Sequence, residues 1–237
     1  MEHCQSRKDK RVVLRKLWEQ QDASFKGMML NSRAPELHQL DTLEIMSYLP
    51  NLQGLKAVEL GAGIGRFTGH LAQRAKHVLA VDFVAKFIEK NREVNGVYRN
   101  IDYVVDDVMN INLEPNSVGF VFTNWLFMYL DDEASTRLLH GMLTWLPSDG
   151  YVFVRESCLY GSGDLSFNED TTFYREAQQF EALFRSVNIS GDDRTSVYHL
   201  RIVMSKSLDS YCKVMKNENQ ILWLLQKVKR ETTPRLQ

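Results

Sequence analysis

Three acidic residues follow three successive apolar runs, and a glycine-rich turn comes after the first of them. Glu59 closes the run that leads into Gly61-Ala62-Gly63, Asp82 ends the next run, and Asp107 follows the third. Glycines let the backbone turn tightly and approach a ligand, and the helix after such a turn offers free N–H donors. An acid about 20 residues beyond the first glycine can accept hydrogen bonds from ribose hydroxyls. The spacing therefore predicts a cofactor that contains a nucleoside.

Two cofactors use a turn of this kind, a dinucleotide and S-adenosylmethionine, and residues 59 and 66 favour the second. A dinucleotide fingerprint requires a third glycine where Arg66 stands. The Glu59 carboxylate would repel a pyrophosphate, whereas it would attract the ammonium of an amino-acid tail. Asp107 stands where an adenine amino group is expected. We therefore predict S-adenosylmethionine, and the alternative is an ordinary glycine turn beside solvated acids.

Short apolar runs alternate with helical patterns between residues 56 and 157, which predicts parallel strands connected by helices. The predicted strands are Lys56–Leu60, His77–Asp82, Ile101–Val105, Val118–Thr123 and Tyr151–Arg155. The predicted helices are Arg66–Arg74, Val84–Asn95 and Asp132–Leu146. Either Asp131 or Asp132 can cap the last of these helices.

The flanking segments complete the predicted fold. Before residue 55, helices are predicted over Arg11–Gln20 and Glu36–Leu49, the second opened by Pro35. After Cys158 the predicted order is a polar loop, a helix, a strand, a turn and a strand: Tyr160–Asp170, Glu176–Ser186, Ser196–Met204, Lys216–Gln220 and Ile221–Val228. We expect an α/β fold with a doubly wound, seven-stranded, mostly parallel sheet and an antiparallel edge. Residues 1–54 would form a helical lid within the same domain, and residues 55–230 a Rossmann-like domain.

Composition excludes several classes of protein. Hydrophobic residues make up 44% of the 237 residues, enough for a buried core, and the formal net charge of −1 lacks the basic excess of a nucleic-acid-binding protein. The three cysteines are too widely spaced for a zinc site, so no metal is predicted. No signal peptide or membrane-spanning run is visible. We expect a cytoplasmic monomer that binds a small molecule, without nucleic acid and without membrane insertion.

Longer strings of residues resemble one enzyme family. The strings are ELGAGIGRFTGHLA (59–72), VDFVAKFIEKN (81–91), FTNWLFMYL (122–130), VRESC (154–158), FYRE (173–176) and NQILWLLQKV (219–228). They resemble phosphoethanolamine N-methyltransferases, and most closely the N-terminal catalytic domain of the two-domain plant and nematode enzymes. The resemblance implies a class I S-adenosylmethionine-dependent methyltransferase fold and methyl transfer to the amine of phosphoethanolamine, on the way to phosphocholine.

The resemblance also implies roles for individual residues. Those implied for the cofactor are Glu59, Gly61, Ala62, Gly63, Asp82, Phe83, Asp107, Val108, Asn124 and Trp125. Those expected at the substrate phosphate are Arg155, Tyr160, Tyr174, Arg175 and Lys213, with Lys216 as an alternative to Lys213. Compact single-domain members of the family carry a histidine where this chain has Tyr129.

Methyl transfer to an amine requires an uncharged nucleophile, although a free alkyl ammonium has a pKa of about 10. A group near the amine must therefore accept a proton or orient the lone pair toward the methyl group. The candidates are Tyr129, Trp125 and Asn124 after the fourth predicted strand, and Glu156 after the fifth. Each has a structural alternative, since Trp125 and Tyr129 could be core aromatics and Glu156 could pair with Arg155. The segment from Trp18 to Met29 is expected to fold over the cofactor.

Two other functions are compatible with the sequence. The chain could methylate a carbon or oxygen of an apolar acceptor, which would explain the aromatic segment after the fourth strand. It could also be a non-catalytic domain that retains the fold for interaction. The intact set of Glu59, Asp82 and Asp107 argues against the second alternative.

Overall fold

The computed structural model describes residues 2–163, 171–191, 193 and 195–230. Most of the predicted loop Tyr160–Asp170 lies outside these residues. Within the described part of the chain, no helix combines the length and apolar composition needed to cross a membrane. The division into a lid before residue 55 and a domain after it stays a prediction.

Five parallel strands form the centre of the sheet. Their bounds are β1 Lys56–Leu60, β2 His77–Asp82, β3 Ile101–Val105, β4 Phe120–Asn124 and β5 Tyr151–Ser157. Their order in the sheet is β3-β2-β1-β4-β5, so β1 and β4 are neighbours. The central strands are apolar and buried on both faces, because helices cover each face of a doubly wound sheet. This arrangement confirms the predicted fold class.

The sheet continues through three strands beside β5. These are β6 Asn188–Ser190, β7 Val197–Ser207 and β8 Gln220–Lys229, in the order β8-β7-β6, with each neighbouring pair antiparallel. The described residues therefore form eight strands, and the prediction of seven was wrong. The missed strand β6 has only three residues and a polar sequence, so it carries no apolar alternation to reveal it.

Eight helices surround the sheet in the described part of the chain. Their bounds are α1 Glu2–Gln20, α2 Phe25–Met29, α3 Ala34–Tyr48, α4 Thr68–Ala72, α5 Ala85–Asn95, α6 Asp132–Trp145, α7 Ala177–Ser186 and α8 Asp209–Met215. Asp131 caps α6 by accepting the Ala134 N–H at 2.8 Å. Helix α4 is much shorter than predicted because the chain after the glycines remains in turns until Thr68. Helix α8 was missed, since only a turn was predicted between β7 and β8.

The core lies on both faces of the sheet, as the alternation along each strand requires. Val58, Val121 and Val152 point to the face covered by α6 and α7. Phe122 and Phe153 point to the other face, where their rings stack with centroids 4.9 Å apart. Helix α3 covers this second face, so the N-terminal helices are part of the hydrophobic core.

A glycine fixes the approach of α5 to the turn after β1. Gly65 has a φ of 85°, which disfavours any residue with a Cβ. A Cβ at this position would also lie 2.2 Å from Asn91 Oδ1 and 2.3 Å from Asn95 Nδ2. The two buried amides are bonded to each other at 2.9 Å, and Asn95 Nδ2 donates to the Gly65 carbonyl. The turn is therefore held against α5 by a hydrogen-bonded pair of amides.

Candidate functional site

A cavity of about 990 Å³, part of it open to solvent, lies at the carboxyl ends of β1, β2 and β4. The sheet order reverses between β1 and β4, and open α/β sheets bind their ligands at such a point. The loops after these strands form one wall of the cavity, and residues of α1 and α2 form another. The predicted site residues in the lining are Glu59, Gly61, Ala62, Gly63, Asp82, Phe83, Asn124, Trp125, Tyr129 and Tyr174.

The turn after β1 is held by Asp82 at the end of β2. The Asp82 carboxylate accepts the Gly63 N–H at 2.9 Å and the Val84 N–H at 2.9 Å, so it joins two loops. Gly61 and Gly63 have φ values of 74° and 54°, in the region that favours glycine. Burial raises the pKa of Asp82 to about 6, while the backbone N–H groups oppose that rise. At neutral pH the carboxylate is therefore mostly ionised and available to hydroxyl donors.

The Glu59 side chain is buried at the end of β1 and faces the cavity. Its carboxylate accepts the Thr68 hydroxyl at 2.5 Å, and Asn91 in turn donates to Thr68. Burial raises the pKa of Glu59 to about 8. A cation placed beside this group would favour its ionised form. The environment therefore suits the predicted contact with an ammonium group.

Arg66 also lines the cavity, and it was not among the predicted site residues. Its Nη2 donates to both carboxylate oxygens of Asp41 on α3, at 2.8 and 3.0 Å. The buried Nη1 has no hydrogen-bond partner among the described residues. An unpaired buried N–H of a cation is costly, so Nη1 offers a donor to an anionic ligand. The sequence contained a signal, since Arg66 stands where a dinucleotide fingerprint requires glycine and therefore favoured S-adenosylmethionine.

The residues predicted for the adenine lie elsewhere. Asp107 is absent from the cavity lining, and its carboxylate pairs with Arg11 Nη1 of α1 at 2.8 Å. Val108 is buried in the core on the α6 face of the sheet. The strand-end position of Asp107 was predicted correctly, but α1 covers it in this structure. Its contact with adenine stays a prediction.

Trp125 and Tyr129 reach the cavity from the loop after β4. Trp125 has a φ of 57°, and its indole Nε1 donates to Gln220 Oε1 at 2.9 Å. Tyr129 ends a short 3₁₀ turn, and its ring packs edge-on against Trp18 of α1 with centroids 5.8 Å apart. Burial raises the pKa of Tyr129 well above its ordinary value. The phenol therefore remains protonated at neutral pH.

Glu156 was predicted as a possible base, but the structure places it behind the cavity wall. Its carboxylate accepts the N–H groups of Leu126, Phe127 and Met128 at 2.8 to 3.1 Å. The group is buried and absent from the cavity lining, so a substrate amine in the cavity has no direct contact with it. Glu156 therefore holds the loop that carries Tyr129 and acts on the site through that loop.

Arg155 was predicted at the substrate phosphate and also lies outside the cavity lining. Its side chain is fully buried, with the guanidinium carbon 3.6 Å from the centre of the Trp125 ring. Its Nη1 donates to Asn124 Oδ1 at 3.3 Å. Arg155 thus packs beneath Trp125 and supports two residues of the lining without lining the cavity itself.

Arg175 is a structural residue of the loop before α7. Its guanidinium donates to the carbonyl oxygens of Phe127, Leu130 and Phe173 and to the Asp132 carboxylate, at 2.7 to 3.2 Å. These bonds occupy Nε, Nη1 and Nη2, and the side chain is absent from the cavity lining. Arg175 is therefore excluded from the proposed phosphate contacts.

The other predicted phosphate contacts are divided between the cavity and its surroundings. Tyr174 lines the cavity. The ring of Tyr160 is half exposed, and its hydroxyl accepts from Asn219 Nδ2 at 2.9 Å. Lys213 is exposed on α8, and Lys216 is exposed just after it. The structure thus brings Tyr160 close to the segment that follows α8. A phosphate contact by Tyr160, Tyr174, Lys213 or Lys216 stays a prediction.

The predicted lid lies against the cavity. Trp18 of α1 and Met28 and Met29 of α2 belong to its lining. Trp18 also packs edge-on against Phe87 with centroids 6.2 Å apart. A ligand in the cavity would therefore be enclosed between the strand ends and the N-terminal helices.

Comparison with known proteins identifies related enzymes. A methyltransferase domain family matches residues 57–150. Phosphoethanolamine N-methyltransferase 1 of Triticum aestivum is 42% identical over 224 residues, which cover 92% of this chain and 45% of that protein. The enzyme of the same name from Caenorhabditis elegans is 39% identical over 213 residues, 86% of this chain and 45% of that protein. The chain spans about half the length of the curated relatives it matches.

A solved structure of an enzyme with the same name is also similar to this chain. Phosphoethanolamine N-methyltransferase 1 of Haemonchus contortus, in complex with phosphoethanolamine and S-adenosylhomocysteine, superposes with a TM-score of 0.87. It is 34% identical, and the match covers 96% of this chain and 51% of that one.

The sheet topology, the site at the strand ends and these matches give this chain the fold of the class I S-adenosylmethionine-dependent methyltransferases. The predicted cofactor, S-adenosylmethionine, is thereby confirmed. Within this class the chain resembles the phosphoethanolamine N-methyltransferases, as its sequence motifs predicted.

The geometry of Arg175 predicts an effect on stability. Replacing Arg175 with Lys should lower the free energy of unfolding by about 2 kcal/mol or more, because an ammonium cannot make the planar set of bonds to three carbonyl groups. Denaturant unfolding measures this loss. Arg185→Lys is the control, since Arg185 is exposed and pairs only with Glu181 among described residues. A stable Arg175→Lys variant with a raised KM for a phosphorylated substrate would return Arg175 to the substrate site.

Proposed function

We propose that this chain transfers a methyl group from S-adenosylmethionine to the amine of phosphoethanolamine. The observation that carries this proposal is the similarity to the Haemonchus contortus enzyme, which extends over 96% of the chain. The cavity supports it, because Glu59, Asp82 and the aromatic residues after β4 converge there. We further propose, from sequence alone, that the protein acts as a monomer in the cytoplasm.

The residues of the cavity fit S-adenosylmethionine. Glu59 would hold the ammonium of the amino-acid tail, and Arg66 would donate Nη1 to the carboxylate of the same tail. Asp82 would accept the ribose hydroxyls. When bound, the cofactor would supply a methyl group activated by its sulfonium: the lone pair of an uncharged amine forms the N–C bond as the C–S bond breaks, and the thioether S-adenosylhomocysteine is the leaving group. This assignment gives the buried Glu59 carboxyl a cation and the open Arg66 nitrogen an acceptor.

The acceptor end of the cavity is formed by Asn124, Trp125 and Tyr129. We propose that the Tyr129 hydroxyl orients the substrate amine. Burial keeps this phenol protonated at neutral pH, so its oxygen can accept an N–H but does not act as a strong base. Two residues outside the lining support this end of the cavity. Arg155 packs under the Trp125 ring, and Glu156 binds the backbone of the turn before Tyr129.

The phosphate would be bound at the side of the cavity that Tyr174 lines. Tyr160 and Lys213 are proposed to complete this site, with Lys216 as the alternative cation. A phosphate monoester needs hydroxyl and cationic donors, and these groups supply both. Among the described residues that line the cavity, Arg66 is the only arginine or lysine, and it is assigned to the cofactor.

An assay of product methylation tests the function. The purified protein is incubated with S-adenosylmethionine and either phosphoethanolamine, its mono- and dimethyl forms, or ethanolamine, and the products are identified by mass spectrometry. We expect methylation of phosphoethanolamine and little or none of ethanolamine, which lacks the phosphate. Equal rates with both amines, or methylation of neither, would contradict the proposed substrate.

The environment of Glu59 predicts that cofactor binding releases a proton. At pH 7 the free protein keeps Glu59 largely protonated, because burial raises its pKa to about 8. An ammonium beside the carboxylate favours ionisation, so binding of S-adenosylhomocysteine should release roughly one proton and become tighter between pH 7 and 8. Calorimetry in buffers with different heats of ionisation measures this release.

The control for this measurement is Glu59→Gln. The amide keeps the size of the side chain but has no proton to release, so binding should be weaker and independent of the buffer. If the wild-type protein binds without net proton release, the ammonium does not reach Glu59.

The position of Tyr129 predicts a selective loss of turnover. Tyr129→Phe should lower kcat by about 10²-fold with little change in cofactor affinity, because the variant loses the group that orients the amine. Steady-state kinetics and calorimetry with S-adenosylhomocysteine separate the two effects. Tyr151→Phe is the control, since its hydroxyl accepts from Gln226 at the opposite end of β5. A kcat close to that of wild type would make Tyr129 a packing residue.

A further inference from the structure

His38 lies on α3 beside the turn that follows β1, outside the lining of the main cavity. Its Nδ1 is 3.2 Å from Arg66 Nε, and its ring stacks on Phe25 of α2 with centroids 3.8 Å apart and planes at 25°. The imidazole therefore contacts both the arginine of the cofactor site and the short helix that carries Met28 of the cavity wall.

The contact with Arg66 fixes the protonation of this histidine. An arginine Nε only donates, so His38 Nδ1 must be the unprotonated acceptor and the ring hydrogen lies on Nε2. Burial and the neighbouring Arg66 charge lower the pKa of His38 to about 4, against an opposing effect of Asp41. Thr42 Oγ1 lies 3.2 Å from the same Nδ1 and can also donate to it. His38 is therefore a neutral acceptor at physiological pH.

The guanidinium of Arg66 is held on two of its three nitrogens. Asp41 binds Nη2, and His38 accepts from Nε, so the plane of the guanidinium is fixed by two independent contacts. The remaining nitrogen, Nη1, is buried and has no partner among the described residues. Because the guanidinium is planar and rigid, the two anchored nitrogens determine where Nη1 points.

We propose that His38 is a positioning residue, which directs Arg66 Nη1 to the carboxylate of the cofactor's amino-acid tail. This inference rests on the proposed contact between Arg66 and the carboxylate. Without the His38 acceptor, the Nε–H of Arg66 loses its partner and the guanidinium can rotate about the Asp41 contact. The selectivity of the site for a ligand with an amino-acid tail then falls.

Two variants separate the contacts of His38. His38→Phe keeps an aromatic ring to stack on Phe25 but has no acceptor for Arg66. His38→Asn places an amide oxygen near the position of Nδ1 but removes the ring. His140→Phe is the matched control, because His140 is exposed on α6, away from the cofactor site.

Two ligands separate positioning from a general effect on folding. S-adenosylhomocysteine carries the amino-acid tail, and 5′-methylthioadenosine has the same nucleoside without that tail. By calorimetry, His38→Phe should bind S-adenosylhomocysteine about ten-fold more weakly, the size of one lost hydrogen bond to a charged group, and 5′-methylthioadenosine as tightly as wild type. His38→Asn should bind both ligands within about two-fold of wild type, as should His140→Phe.

Arg66→Met distinguishes the possible failures. This variant should lose the preference for S-adenosylhomocysteine over 5′-methylthioadenosine. If Arg66→Met loses it and His38→Phe keeps it, the inference about His38 is overturned while the cofactor site stands. If neither variant loses it, the Arg66 contact itself is wrong and the inference falls with it. Equal weakening of both ligands in His38→Phe would show a merely structural histidine. The methylation assay with phosphoethanolamine remains an independent test of the reaction.

Discussion

The hydrogen bonds from three consecutive backbone N–H groups to the buried Glu156 carboxylate fix the chain just after β4, and the acceptor side of the cavity depends on them. Trp125 lies immediately before these N–H groups and Tyr129 immediately after them. Without a carboxylate at the end of β5, the three N–H groups would be buried and unpaired, a cost of about 1–3 kcal/mol each. Asp82 does the same for the cofactor side, because it binds backbone groups of two loops at once. Buried acids at the ends of β2 and β5 therefore shape both halves of the site.

The parallel strands and the residues at their ends could be predicted from the sequence for a common reason. A strand buried on both faces is a short run of apolar residues, and its end is marked by the first polar residues after the run. Glu59 and Asp82 are such residues, and both line the cavity. Open α/β sheets bind their ligands outside the carboxyl ends of the strands. A residue at such an end can therefore be predicted to lie near a ligand without knowing where its side chain points.

The direction in which a side chain points at the carboxyl ends of the strands could not be predicted from the sequence. Arg155 and Arg175 stand in the right segments, but their guanidinium groups turn into the protein, toward Trp125 in one case and backbone carbonyls in the other. The contacts of Arg66 join residues that are 25 and 28 positions apart, so no local pattern contains them. Strand β6 and helix α8 were missed because they are short and draw their stability from packing on the sheet and on α3, a tertiary effect that overrides local preference.

The amide pair that holds Gly65 against α5 has a consequence for how such sequences can diverge. A side chain at position 65 has no room unless Asn91 and Asn95 become smaller, and smaller residues there would leave the Thr68 hydroxyl and the Gly65 carbonyl without their amide donors. Each single change is therefore unfavourable, although a combined change could be accommodated. The residues at positions 65, 91 and 95 are therefore expected to be substituted together or not at all.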